Sequence, residues 1–232
     1  MSKFTGIKAI SFDVDGTLWD FDAVMRRALG KTLLELRRVE PEAAAMLDVD
    51  RVVAIRERVE NELRGAVSDL NEIRLESFRR VLREIGRPDD ALASRLCDVY
   101  FTHRSAGREL FDDVLPTLDA LKHRYTLGLV SNGNSYPKDF GLEGLIGFAV
   151  YAQDHGGIQK PDPALFRIAL DEAGCTAGEL VHVGDSLEID VAGARNAGIG
   201  SVWLNRNGSS ARPDIVPDAG IASLRELSQI LL

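Results

Sequence analysis

In the second half of the chain, two kinds of hydrophobic pattern alternate. Short apolar runs typical of buried strands are followed by segments whose apolar residues recur at helical spacing. The strand-like runs cover residues 126–130, 148–151, 180–183 and 201–204, with helical patterns at 163–173 and 191–197. Strands that alternate with helices form parallel sheets, because the helix carries the chain back across one face of the sheet. This pattern predicts a parallel sheet with crossover helices.

A long helical segment interrupts this alternation near the N-terminus. The first strand-like run ends at Phe12, and from about residue 19 apolar residues recur at helical spacing in several successive stretches. No convincing strand-like run follows before Tyr125. The fold class we predict is therefore α/β: a Rossmann-like parallel sheet core with crossover helices, formed by residues 1–18 and 113–232, plus an all-helical domain inserted at residues 19–112.

The composition argues against several classes of function and location. Asp and Glu outnumber Lys and Arg by 36 to 28, and the net charge of −8 argues against a nucleic-acid-binding surface, which needs clustered positive charge. The two cysteines, Cys97 and Cys175, lie far apart, which favours reduced thiols in a cytoplasmic protein. The N-terminus has no apolar signal region and no apolar run has membrane-spanning length, so we expect neither secretion nor a membrane partner.

Two acidic residues directly follow the first strand-like run, in a position that is unfavourable for charge. Residues 13–17 are Asp-Val-Asp-Gly-Thr, so Asp13, Asp15 and Thr17 bring two carboxylates and a hydroxyl to the point where a buried strand ends. Carboxylates this close repel each other and resist leaving water. The arrangement becomes favourable when a cation and an electrophile bind there.

Two other interpretations of this segment compete with a catalytic one. The pattern D-x-D-x-T also opens an EF-hand calcium loop, but Leu18 and Val24 stand where that loop requires glycine and glutamate. A turn that caps the next helix, with Asp15 or Thr17 as the N-cap, is as consistent with the pentapeptide as catalysis is. Taken alone, the segment leaves these last two alternatives open.

Three further polar clusters follow predicted strands. Ser131 and Asn132 come after the second strand and offer a hydroxyl and backbone N–H groups suited to phosphate oxygens. Lys160 lies in a later loop, where its charge can neutralise carboxylates, and Asp185 and Asp190 follow the strand after that. Each cluster by itself has an ordinary explanation as a turn, a solvated lysine or a helix N-cap.

In this order, the segments DVDGT, SNG, KP and GDSLEID resemble the motif series of the haloacid dehalogenase-like hydrolase superfamily. The resemblance covers nearly all of the predicted core, and the inserted helices look like that superfamily's alpha-helical cap of the first type. It implies an enzyme, a Mg²⁺-dependent phosphatase acting on a small-molecule phosphomonoester. The name-giving dehalogenases lack the second Asp of the first motif, so Asp15 favours hydrolysis of phosphate esters.

The resemblance implies catalytic and metal-binding roles for three aspartates. Asp13 would be the nucleophile that forms an aspartyl-phosphate. Asp15 would be the general acid that protonates the leaving oxygen and later activates water. Mg²⁺ would be bound by the Asp13 carboxylate, the Asp15 backbone carbonyl and Asp185.

The remaining motif residues are implied to bind phosphate or to support the catalytic groups. Ser131, the backbone of Asn132 and Lys160 would hold the oxygens of the transferring group. Asp190 would orient Lys160 or a metal-bound water, and Thr17 would support the general acid.

The alternative functions on the same fold are a phosphomutase, a 2-haloacid dehalogenase and a non-catalytic binding protein. The intact set of motif aspartates argues against a non-catalytic binding protein. Arginines of the inserted helices, such as Arg26, Arg27 and Arg79, occupy positions typical of solvated faces. The four histidines lack ligand spacing, so we expect structural or surface roles for them. No motif identifies the substrate or the oligomeric state.

Overall fold

The computed structural model describes residues 4–231, and within them six strands form one fully parallel sheet. The strands are β1 (Ala9–Phe12), β2 (Thr126–Ser131), β3 (Phe148–Tyr151), β4 (Leu180–Gly184), β5 (Gly200–Leu204) and β6 (Ala219–Ile221). Their spatial order is β3-β2-β1-β4-β5-β6, the doubly wound order of Rossmann-type sheets. The predicted α/β, Rossmann-like fold class is confirmed.

The central strands are buried along their whole length. Every residue of β1 and of β4 is buried, which explains why their sequences are nearly continuous apolar runs rather than alternating ones. The polar exceptions are Ser11 in β1 and His182 in β4. These two side chains face each other and share a hydrogen bond between Ser11 Oγ and His182 Nδ1.

The chain divides into two compact units, of which one is Phe21–Arg108. Its helices are α1 (Phe21–Val39), α2 (Pro41–Ala44), α3 (Val49–Leu63), α4 (Leu70–Glu84) and α5 (Asp90–Ala106). Their apolar faces enclose a core of their own. Asp48, Asp69 and Asp89 cap α3, α4 and α5 by accepting backbone N–H groups of the first turn. The predicted boundaries of the inserted domain lie a few residues from these limits, and its role as a cap stays a prediction.

The other unit comprises the described residues up to Asp20 and from Glu109 onward, and it carries the sheet. Its helices are α6 (Val114–Leu121), α7 (Pro163–Ala173), α8 (Ala192–Asn196) and α9 (Leu227–Leu231). Local hydrophobic patterns do not predict α6, which is only eight residues long and has Pro116 in its first turn, where proline is tolerated. None of the helices within residues 4–231 is both long enough and apolar enough to cross a membrane.

The strand register brings several loops to one edge of the sheet. Phe12 at the end of β1 lies beside Leu129 of β2 and Val183 of β4, and Asp13 N continues the ladder by donating to Val183 O at 2.9 Å. β2 and β4 flank β1 on opposite sides, and the helical connections run outward from these strands in opposite directions along the sheet. The loops after these three strands therefore meet at the topological switch point, where open α/β sheets bind ligands.

Candidate active site

The loop after β1 brings two carboxylates to the switch point. Asp13 is buried and Asp15 is half-buried, and Trp19 Nε1 donates to Asp15 Oδ1 at 2.7 Å. Gly16 turns the chain with a φ of 93°, and a Cβ there would lie 2.6 Å from Asp185 Oδ2. Only glycine combines this backbone angle with so close an approach. The loop after β1 is thereby seated directly against the acidic segment that follows β4.

Lys160 joins the first carboxylate to that second acidic segment. Its Nζ donates to Asp13 Oδ1 at 2.7 Å and to Asp190 Oδ1 at 2.6 Å, and its side chain is 1% exposed. Each of these two carboxylates accepts one hydrogen bond from the buried ammonium, so the charge of the cation is compensated. The second oxygen of Asp13, Oδ2, receives no hydrogen bond from the described residues.

The residues after β2 hold the Lys160 loop in place. Lys160 N donates to Asn132 Oδ1 at 2.8 Å, and Asn132 Nδ2 donates to Lys160 O at 3.0 Å. Ser131, the last residue of β2, is buried, and its Oγ accepts from Gly133 N at 3.0 Å. A Cβ at Gly133 would lie 2.3 Å from Asp15 Oδ2. The Ser-Asn-Gly segment thus lies between Asp15 and Lys160. The Asn132 side chain positions the Lys160 backbone, a role that the sequence pattern does not predict.

The two aspartates after β4, Asp185 and Asp190, lie in different environments. Asp190 is 2% exposed, and Ser186 N donates to its Oδ2 at 3.0 Å. A Cβ at Gly184 would lie 2.2 Å from Asp190 Cγ, so glycine at the end of β4 makes room for this carboxylate. Asp185 is exposed, and Trp203 Nε1 of β5 fixes its backbone by donating to Asp185 O at 2.9 Å.

The carboxylates of the cluster have different affinities for protons. Burial raises the pKa of Asp13 well above its ordinary value, although Lys160 acts in the opposite direction. Burial also acts to raise the pKa of Asp190, but Lys160 and His182 outweigh it and hold that pKa well below the ordinary range. Asp185 keeps exposed surface, yet the groups packed around its carboxylate remove enough water to raise its pKa to about 6, with a further contribution from Asp190.

The Lys160 ammonium remains charged in this setting. Burial opposes its charged form, but Asp13 and Asp190 more than compensate and raise the pKa of Lys160 above its ordinary value. The charge of Lys160 therefore offsets the repulsion between the Asp13 and Asp190 carboxylates.

His182 is a buried neighbour of the cluster that the sequence analysis assigns only to a structural or surface role. Its Nε2 lies 3.2 Å from Asp190 Oδ1, and its Nδ1 lies 2.9 Å from Ser11 Oγ. Burial lowers the pKa of His182, which favours the neutral ring. A continuous line of hydrogen bonds runs from Ser11 through His182, Asp190 and Lys160 to Asp13. The sequence signal for it is a polar residue inside an otherwise apolar strand.

Thr17 does not make the side-chain contact that its predicted supporting role suggests. Its hydroxyl is buried and has no hydrogen-bond partner among the described residues. Its backbone carbonyl accepts from Arg206 Nη2 at 3.0 Å. The hydrogen bond to Asp15 comes instead from Trp19, four residues along the chain.

Three carboxylates of the site are close enough to share a cation. One oxygen each of Asp13, Asp185 and Asp190 lies within 4.8 Å of the others. Asp190 is already engaged by Lys160, His182 and the Ser186 N–H, whereas Asp13 keeps Oδ2 available. Hard carboxylate oxygens are the donors that Mg²⁺ prefers. The donor set therefore fits a divalent cation bound by Asp13 and Asp185.

Comparison with known proteins assigns this arrangement to a family. The profile of the haloacid dehalogenase-like hydrolases matches residues 7–198. This chain belongs to that hydrolase family. The predicted recognition and the prediction that the chain is an enzyme, a hydrolase of the haloacid dehalogenase-like type, are confirmed.

Individual members of the haloacid dehalogenase-like hydrolase family resemble the chain over its length. A 5-amino-6-(5-phospho-D-ribitylamino)uracil phosphatase of Escherichia coli is 25% identical, over 97% of this chain and 96% of its own. The crystal structure of a 2-haloacid dehalogenase from Pseudomonas syringae is 34% identical with a TM-score of 0.79, covering 97% of this chain and 98% of that one. A magnesium-bound putative hydrolase of the family from Bacillus subtilis is 26% identical with a TM-score of 0.75, covering 98% and 99%.

Proposed function

We propose that this hydrolase is a Mg²⁺-dependent phosphomonoesterase that acts on a small phosphorylated metabolite through an aspartyl-phosphate on Asp13. The observation that carries the proposal is the placement of Lys160 Nζ between Asp13 and Asp190, with Asp185 close enough to share a cation with Asp13. The similarity to the E. coli phosphatase supports the reaction class, and the magnesium bound to the B. subtilis relative supports the metal.

The first step transfers the phosphoryl group to Asp13. An oxygen of the ionised Asp13 carboxylate attacks phosphorus, the new O–P bond forms, and the bond from phosphorus to the leaving oxygen breaks. Lys160 donates to Oδ1 of Asp13 at 2.7 Å and thereby orients the carboxylate that attacks. The positive charge of Lys160 favours the ionised form of Asp13 against the effect of burial.

Asp15 supplies and later removes a proton. Because Trp19 donates to Oδ1, that oxygen serves as an acceptor, and Oδ2 carries the proton that passes to the leaving oxygen. Oδ2 is also the oxygen beside Gly133, where the absence of a side chain keeps space around it. In the second step Asp15 takes a proton from water, whose oxygen bonds to phosphorus as the bond to Asp13 breaks, giving inorganic phosphate.

The surrounding residues bind the oxygens of the phosphoryl group and the metal. Asp13 and Asp185 would hold Mg²⁺, with the Asp15 backbone carbonyl as the further ligand that the family resemblance implies. When bound, Mg²⁺ supplies positive charge that neutralises the phosphoryl oxygens. Ser131 Oγ, the Asn132 backbone N–H and Lys160 hold the oxygens that gain negative charge in the transition state.

The proposal is tested by measuring turnover of a panel of phosphomonoesters, including p-nitrophenyl phosphate, with Mg²⁺ and with excess chelator. We expect turnover that requires Mg²⁺ in the wild-type chain, and its loss in Asp13→Asn, which lacks the nucleophile. Asp162→Asn, a change in the exposed N-cap of α7, serves as the control and should retain activity. Absence of Mg²⁺-dependent turnover across the panel would refute the proposal, and activity retained by Asp13→Asn would refute the assigned nucleophile.

A second function is favoured by one observation. The 2-haloacid dehalogenase from P. syringae is 34% identical to this chain. The presence of Asp15 opposes that function, because the dehalogenases of the superfamily lack the second aspartate of the first motif. Halide release from 2-chloropropionate distinguishes the two activities: we expect none, and release that exceeds phosphatase turnover would favour the dehalogenase.

A further inference from the structure

The helical unit contains a group of arginines that have no part in the site described above. The arginine cluster consists of Arg56 on α3, Arg74 on α4 and Arg104 on α5. The guanidinium groups of Arg56 and Arg104 each lie 5.5 Å from the ring centre of Phe21, and that of Arg74 lies 5.6 Å from the ring centre of Tyr100. Three helices therefore bring like charges together around two aromatic rings.

Two members of the cluster keep hydrogen-bonding capacity that the described residues do not use. Arg74 is 7% exposed, and its Nη1 is buried without a hydrogen-bond partner among residues 4–231. The side chain of Arg56 is 14% exposed, and its Nε is likewise buried without such a partner. The carboxylate near Arg56 is that of Glu60, 3.6 Å from Nη2, a distance too long for a hydrogen bond.

This arrangement is unfavourable in the absence of a ligand. Burial and the charge of Arg56 together lower the pKa of Arg74 to about 10, while the Tyr100 and Glu60 contributions act in the opposite direction. The face of an aromatic ring attracts a cation but cannot accept hydrogen bonds from five N–H groups. Buried donors without acceptors are rare in native proteins, and a bound ion is one of the explanations for those that occur.

We propose that Arg56 and Arg74 form a binding site for an oxyanion, a carboxylate or phosphate group. An oxyanion provides both the negative charge and the acceptor oxygens that the unused N–H groups require. Guanidinium groups bind such groups through two parallel hydrogen bonds, and the aromatic rings hold the guanidinium planes in place. The half-buried arginines Arg26 and Arg79 differ in kind, because each is paired with carboxylates.

The first test measures the melting temperature of the full chain in malonate or inorganic phosphate against sodium chloride of equal ionic strength. A ligand at about 100 times its dissociation constant raises the melting temperature of a chain of this size by several degrees. We expect such a rise in the wild type, its loss in Arg74→Met and in Arg56→Met, and a partial rise in Arg74→Lys, which keeps the charge. Without anion, Arg74→Met should melt no lower than the wild type, since it removes an incompletely paired buried cation.

The matched control is Arg83→Met on the same helix, whose exposed side chain pairs with Glu76. It should keep the full rise with both anions. Phosphate binding at the catalytic site is common to all these variants and cancels in the comparison. No rise in the wild type beyond that in sodium chloride, or an equal rise in Arg74→Met and wild type, would overturn the proposal.

A second test identifies the source of the anion, and it alone rests on the proposed phosphatase function. If the oxyanion belongs to the substrate, Arg74→Met should raise KM about tenfold for a phosphomonoester that bears a carboxylate, such as phosphoglycolate, and leave KM for p-nitrophenyl phosphate unchanged. If it is a separate ion, both KM values stay unchanged while the thermal effect is still lost. An equal change in both KM values without a thermal effect would show a purely structural role and contradict the site. A chain without phosphatase activity leaves the thermal test decisive.

Discussion

At the scale of single residues, Asp13 and Asp15 lie two positions apart but have different partners. Asp13 is buried and contacts a cation, Lys160, through one oxygen. Asp15 is half-buried and accepts from a neutral donor, Trp19. The charge of Lys160 favours the ionised form of Asp13 and opposes the effect of burial, which on balance raises the pKa of that carboxyl. In the proposed division of labour, Asp13 attacks as an anion and Asp15 delivers a proton.

Substitution of Asp15 tests that division. We expect Asp15→Asn to slow release of phenol from phenyl phosphate by about 100-fold or more, because phenolate is a poor leaving group that requires a proton. Release of p-nitrophenolate, a better leaving group, should slow much less. The measurement is leaving-group release in a single turnover, which excludes the later hydrolysis step. Equal slowing with both esters would contradict the role of Asp15 as the general acid.

Substitution of His182 tests the buried line of hydrogen bonds behind Lys160. His182→Phe keeps a ring against Phe166 but leaves the buried Ser11 hydroxyl and Asp190 each without one partner. We expect the free energy of unfolding to fall by about 1–3 kcal/mol, measured by urea denaturation. The same change at the exposed His123 is the control and should have little effect. An unchanged stability in His182→Phe would show that these hydrogen bonds contribute nothing.

At the scale of elements, the pairing of β2 with β3 depends on one glycine. Gly128 pairs with Phe148, and a Cβ at Gly128 would lie 2.1–2.3 Å from atoms of the Phe148 ring. The ring thus occupies the space that a side chain on β2 would need. This packing supports the strand that ends in Ser131, so a local steric requirement bears on the position of the phosphate-binding loop.

We therefore expect Gly128→Ala to destabilise the chain by about 1–3 kcal/mol, because the Phe148 ring must move out of its position in the core. Gly144→Ala provides the matched control, since a Cβ there meets no atom within 4 Å and its φ is not positive. Thermal or urea unfolding of both variants provides the measurement. A stability of Gly128→Ala equal to that of Gly144→Ala would contradict this packing argument.

At the scale of the whole molecule, segments far apart in sequence meet at Asp113. Arg206 binds both oxygens of Asp113 at 2.8 and 2.9 Å, and its guanidinium group also donates to Thr17 O. Ser223 Oγ and Leu224 N add hydrogen bonds of 2.7 and 2.9 Å to Asp113 Oδ2. This network ties the loop after β1 to the segments that follow β5 and β6. Asp113 itself is 5% exposed, and most of the hydrogen bonds it accepts are partly buried.

The network predicts a pH-dependent stability. Burial acts to raise the pKa of Asp113, but the hydrogen bonds from Arg206, Ser223 and Leu224 outweigh it and hold the pKa below its ordinary value of 3.8. The stabilisation is therefore complete above the unfolded pKa and is lost as the pH falls through the lower folded pKa. We expect Asp113→Asn to reduce the free energy of unfolding by about 2–4 kcal/mol at pH 7 and by much less at about pH 2, well below the unfolded pKa.

Urea unfolding at both pH values measures this difference. Asp119→Asn is the control, because that carboxylate is exposed and pairs only with Lys122 in the described structure. A destabilisation by Asp113→Asn that is the same at both pH values would show that the charge of Asp113 contributes nothing to the network.

Much of the architecture and of the site follows from local sequence patterns. Short apolar runs and period-3.6 hydrophobicity act within one element, so they predict β1 to β5 and helices such as α7; α6 is missed because it is short and contains Pro116. The motif residues come at strand ends, and a parallel sheet places all such ends at one edge. The proximity of Asp13, Lys160 and Asp185 therefore follows from their order along the chain, together with the parallel fold.

The tertiary structure alone decides which distant side chains touch. Contacts such as those of His182 with Asp190 and of the Asn132 side chain with the Lys160 backbone depend on strand order, register and rotamers, which no local period encodes. The same holds for the arginine cluster, whose members lie on three helices and have ordinary sequence surroundings. The sequence by itself determined the kinds of elements and the chemical groups at their ends. Packing decided the partners of those groups, because it joins residues that are remote along the chain.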